Sequence, residues 1–171
     1  MRSWNQTAAV ALTAAVVTFG AGAALAGGAG RPTHAKGALA IPTTPVAGPD
    51  ADARGVVEWK HFPVVGKRAE RSWLRFKLGR LDGADNTLWM DDPSTPETDL
   101  VQVTTLTAVE GDNGFHLNYR IDTKHGGVLP FGATLEALVG MAVEVRDASG
   151  ATVLAGAVPA VQVKPPHGHG H

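Results

Sequence analysis

The chain has 171 residues, with 15 Lys and Arg against 16 Asp and Glu and no cysteine. A formal net charge of −1 argues against a general nucleic-acid binder. The missing thiol excludes disulfides, a cysteine nucleophile, cysteine-based zinc sites and iron–sulfur clusters.

Residues 1–26 read as a secretory signal: Arg2 supplies a thin positive start, an apolar run follows from Ala8 to Phe19, and Ala24-Leu25-Ala26 closes the segment. The apolar run is about a dozen residues, short of the roughly 20 that a spanning helix needs. The expectation is cleavage after Ala26 and a secreted or periplasmic protein with no transmembrane domain. The alternative is a signal retained as an anchor. Without cysteine there is no lipid-attachment site.

Residues 27–54 are rich in Pro, Gly, Ala and Thr, as in Ile41-Pro42-Thr43-Thr44-Pro45, and carry no aromatic residue. Such a stretch has too little apolar surface to offset its ordering entropy, so it reads as a disordered linker. A β-sandwich domain is expected over 55–163, and a flexible His/Gly tail over 164–171.

Strand signals dominate that domain. In Arg71–Leu78, Leu74, Phe76 and Leu78 fall on one face, and Arg71, Trp73, Arg75 and Lys77 on the other. Leu81–Asn86 is a turn-rich break and Thr87–Met90 a short strand. Leu100–Val109 is a threonine-rich strand with Val101, Val103 and Val109 in phase. Across Gly111-Asp112-Asn113-Gly114 it is expected to form a hairpin with Phe115–Ile121, where Phe115, Leu117, Tyr119 and Ile121 alternate with polar residues. Ala133–Val139 is the one candidate helical turn, capped by Thr134 and ended by Gly140. Met141, Val143 and Val145 form a strand, Asp147-Ala148-Ser149-Gly150 turns it, and Val153–Val158 returns. About six to eight short strands with at most one short helix imply an all-β antiparallel sandwich or barrel.

Charge is unevenly laid out. Lys60 to Arg80 holds seven basic residues against Glu70, whereas Asp82 to Asp112 holds eight acids and no base. One expectation is that these segments pair across a sheet, each pair contributing about 0.2–1 kcal/mol. The other is functional: Arg71, Trp73, Arg75 and Lys77 form an outward stripe that holds an anionic glycan or a protein partner by charge and stacking.

Further candidates are weaker. Adjacent Asp91 and Asp92 point to opposite faces of a strand and do not converge on one ion. Asp82–Asn86 lacks the calcium-loop pattern. In the tail, His167, His169 and His171 alternate with glycines and can wrap Cu, Ni or Zn. His61, His116 and His125 are scattered, and no Gly-x-Ser-x-Gly elbow, His-Glu-x-x-His helix or phosphate loop occurs. The leading expectation is an exported, non-enzymatic binding or structural domain with no resident cofactor and an envelope or extracellular partner. A metal-binding protein using the histidine tail and a hydrolase with an unmarked site are the alternatives.

Overall fold

The computed structural model describes residues 31–42, 51–95 and 99–161. They form an all-β antiparallel sandwich of two sheets. The strands are β1 (Thr33–Leu39), β2 (Arg54–Phe62), β3 (Arg71–Leu81), β4 (Asp85–Asp91), β5 (Leu100–Thr107), β6 (Val109–Gly111), β7 (Gly114–Asp122), β8 (Ala142–Asp147) and β9 (Thr152–Ala157). One sheet has the order β1-β2-β3-β7-β6 and the other β5-β4-β8-β9. A short helix, α1 (Leu135–Leu138), precedes β8 and brings Leu135 and Leu138 into the core. Thr134 caps it as expected, its hydroxyl accepting the Ala137 N–H.

Period-two alternation explains the core. Val57 and Trp59 of β2, Leu74, Phe76 and Leu78 of β3, Leu88 and Met90 of β4, and Val143 and Val145 of β8 are all buried. Each large side chain so buried contributes about 1.5–3 kcal/mol. Trp59 is fully buried, and its indole N–H donates to the Pro159 carbonyl at 2.6 Å. That bond supplies the partner a buried indole needs. The β8–β9 turn forms as expected, with Gly150 in the left-handed region at φ 85°. The Ser149 hydroxyl, ahead of the Ala151 and Ser149 amides, holds the Asp147 carboxyl below the usual carboxylate range despite its burial.

Three expectations are corrected. Residues 33–39, read as part of a disordered linker, form β1, paired along its full length with β2. Its inward positions are Thr33, Ala35, Gly37 and Leu39, so the alternation lacks the large side chains that advertise a strand. Just beyond β1, Ala40 and Ala155 exchange backbone hydrogen bonds of 2.8 Å, tying the two sheets together. The close approach requires Gly156: a Cβ there would lie 2.8 Å from Leu39 Cδ2.

The second correction concerns phase. Val101 and Val109 are 44% and 64% exposed, whereas Leu106 is buried. Leu88 pairs with Thr104 and Trp89 with Gln102, so Val103 is a bulge. One extra residue moves the inward set from Val101, which sits opposite buried Met90 on an edge strand, to Thr104 and Leu106, and Val109 lies beyond the crossing in β6.

The third concerns pairing. β5 does not form a hairpin with β7; it pairs with β4. The chain crosses between sheets at Ala108, whose N–H donates to the Ala84 carbonyl at 2.7 Å, and only β6 continues beside β7. Strands that switch sheets make corners in this way.

Candidate functional site

The outward face of the five-stranded sheet gathers the basic residues. Cross-strand register sets His34, Lys60, Trp73 and Asp122 in one row, and Lys36, Glu58, Arg75 and Arg120 in the next. The face carries seven cations, Lys36, Arg54, Lys60, Arg71, Arg75, Lys77 and Arg120, against the carboxylates Glu58 and Asp122. The four stripe residues expected from the sequence, Arg71, Trp73, Arg75 and Lys77, do share this face.

The pairing expected between basic and acidic segments is not made in that way. β3 and β4 belong to different sheets, so the two runs are not neighbours. Glu58 takes Arg75 as its closest partner, with Lys77 at 3.4 Å and Lys36 at 4.0 Å, and Arg80 reaches Asp52 at 3.2 Å. The acids of β4 and β8 instead face outward on the opposite sheet, where Asp85, Asp91 and Glu144 accompany Arg146. Cations are therefore in excess on one outward face and carboxylates on the other.

Glu58 is buried, and the Arg75 hydrogen bond holds its carboxyl below the usual range against the opposing effect of burial. At Asp122 burial works against ionisation. The Lys124 amide and the Arg120 guanidinium outweigh it, and the carboxyl also ends up below the usual range.

Trp73 does not present a bare stacking surface. The guanidinium carbons of Arg75 and Arg120 lie 5.3 and 4.9 Å from its ring centre, and the His34 ring is tilted against it at 6.3 Å. The indole organises the cations around it. Stacking of a sugar on Trp73, expected from the sequence, would have to displace them.

Sequence reasoning missed a second feature. Where β2 ends and β3 begins, a cleft of about 750 Å³ opens beside the cationic face. Pro32, Phe62, Pro63 and Val65 give it apolar walls, and Arg68, Arg71 and Lys124 bring positive charge. The wall from residues 63–70 is braced by reciprocal Val65 and Arg68 backbone bonds. Thr123, opposite, is tied to β3: its hydroxyl accepts the Ser72 N–H at 2.9 Å and donates to the Ser72 carbonyl at 3.2 Å. These residues come from three separated stretches, so no local pattern announces them.

Other candidates resolve individually. His61 Nδ1 lies 3.1 Å from Ser72 Oγ and 3.8 Å from Glu70 Oε1. Serine and carboxylate thus approach the same ring nitrogen, whereas a nucleophilic relay places them on opposite ones. Burial, with Asp92 and Asp99 adding to it, raises the Asp91 carboxyl above the usual range, and its Oδ1 is buried without a hydrogen-bond partner among the described residues. Asp92 forms a turn, accepting the Ser94 N–H at 2.8 Å. Among the described residues no group of three or more His, Asp or Glu side chains could hold a metal ion. His167, His169 and His171 lie outside the described residues, as do residues 1–26. No helix among the described residues is long and apolar enough to cross a membrane.

Comparisons with protein-family models, curated proteins and solved structures give no match.

Proposed function

We propose that this chain is an exported, non-enzymatic binding domain that holds an anionic glycan along the outward face of its five-stranded sheet. One observation carries the reading: seven cations against two carboxylates in register on one face of a chain whose net charge is −1. Successive outward residues on a strand are about 7 Å apart, so β3 offers a ladder of charge to an extended polymer. Glu58 and Asp122 neutralise only part of that charge, and among the described residues Arg54 and Lys60 carry no ion pair. Attraction of this kind is multipoint and screened by salt. An acidic protein surface in the envelope or outside the cell offers the same complementarity.

The test is retention on immobilised anionic polysaccharide beside a neutral polysaccharide of the same backbone. Retention on the anionic matrix alone, weakened by salt and by combined Lys36→Gln, Arg54→Gln and Lys60→Gln, is the expected result. Passage through the anionic matrix at low salt, or retention unchanged in the triple variant, overturns the reading. The three sites lie at the protein surface, and a thermal melt confirms that the variant is folded.

A further inference from the structure

The cleft between the β2–β3 loop and Thr123 combines features that the cationic face lacks. Its body is apolar: Phe62, Pro63 and Val65 leave hydrocarbon accessible, with Val65 47% exposed. Its volume, about 750 Å³, is within the range of pockets that enclose small organic molecules. Three cations reach it, and among the described residues Arg68, Arg71 and Lys124 make no ion pair. Elsewhere on that sheet the carboxylates already engage Arg75, Lys77, Lys36, Arg80 and Arg120. The carboxylate that lines the cleft, Glu70, lies 3.8 Å from His61 Nδ1.

Arg71 is also pre-oriented. Its guanidinium carbon lies 4.1 Å from the centre of the Phe62 ring. A guanidinium held over an aromatic ring retains N–H groups that can grip a carboxylate or sulfonate in two-point fashion. Phe62 therefore does two things: it steadies the arginine and supplies apolar wall. The braced walls mean that little has to be ordered on binding, which is the main cost for a small ligand.

We infer that this cleft binds a small organic monoanion with a compact apolar body, an aryl or short acyl carboxylate or sulfonate, with its anionic group on Arg71 and its body against Phe62 and Val65. A purely apolar ligand would leave the three cations unanswered, and a small inorganic anion would leave the apolar walls wet. The site shares Arg71 with the cationic face, and Lys60 Nζ lies 4.9 Å from the centre of the Phe62 ring, but it needs neither Lys36 nor Arg54, so binding there is separable from the glycan reading.

Calorimetric titration of the full-length protein with 2-naphthoate, beside neutral 2-naphthylmethanol, tests this. Saturable one-site binding of naphthoate is expected, with the alcohol at least about tenfold weaker. Arg71→Gln should weaken naphthoate by roughly tenfold or more. Lys124→Gln, at an exposed position, should weaken it less, and Lys36→Gln should leave it unchanged. Ala69→Trp should block it by filling the cleft. The inference is overturned by absent saturation, by equal binding of acid and alcohol, or by naphthoate binding that survives both Arg71→Gln and Ala69→Trp in folded protein.

Discussion

Arg75 donates from both Nε and Nη2 to a single oxygen, Oε2, of Glu58 directly across the β2–β3 pair. Lys36 and Lys77 crowd the same carboxylate, so Glu58 is what lets a dense set of cations share one face. Removing it should matter more than removing any one of its partners. Glu58→Gln should destabilise the domain by about 1–3 kcal/mol at pH 7, because three cations lose their common counter-charge. The folded carboxyl titrates below the unfolded one. Its stabilisation is therefore complete above the ordinary carboxylate range, and is lost as pH falls through the depressed folded value. Urea unfolding from neutral to acid pH checks this: the gap between wild type and Glu58→Gln should close as the medium becomes acid.

Asp91 has the opposite sign. Burial raises its folded carboxyl above the unfolded value, so ionisation at neutral pH works against folding. Asp91→Asn should raise the thermal midpoint at pH 7, and the gain should vanish when pH falls far enough to protonate wild-type Asp91. An unchanged or lowered midpoint at pH 7 would show that the ionised carboxylate has a stabilising partner.

The β1 strand gives a prediction on truncation. A chain starting at residue 55 retains everything that the sequence alone marked as domain. It loses β1, which covers the edge of β2 and engages β9 through Ala40 and Ala155. We expect residues 55–161 alone to be largely unfolded or aggregated, and residues 31–161 to give a cooperative urea transition. Equal stability of the two chains would show that β1 is dispensable.

Export gives the fourth. N-terminal sequencing of the protein recovered outside the cytoplasm should begin at Gly27. Recovery of an intact Met1 in a membrane fraction would instead make residues 1–26 an anchor.

What was legible in the chain follows from which forces are local. β3 and β7 show clean alternation because each is buried on one face only, and Leu74, Phe76 and Ile121 are inside as the pattern demands. Thr134 and Gly150 announced a cap and a turn for equally local reasons. β1 was hidden because three of its four inward residues, Thr33, Ala35 and Gly37, are small, and only Leu39 at its end carries hydrophobic contrast. The bulge at Val103 and the crossing at Ala108 are choices of partner, and nothing within residues 100–109 records which strand lies alongside.

The site divides in the same way. Arg71, Trp73, Arg75 and Lys77 were visible as one face of one strand. That Glu58 would occupy Arg75, and that Arg120 would cover Trp73, depends on register with β2 and β7. The cleft depends on Thr123 meeting Ser72 across 51 positions of sequence.

The uneven sharing of acids and bases between the two sheets has a consequence for behaviour in solution. A sequence pI near 6.6 suggests indifference to charged surfaces at neutral pH. A molecule with seven cations against two carboxylates on one broad side, and three carboxylates against Arg146 on the other, instead has a charge asymmetry across the sandwich that favours presenting the basic side to an anionic surface. Near its isoelectric point it should still be drawn to a cation exchanger and an anion exchanger alike, by opposite faces, and should meet an anionic wall with the β3 side leading.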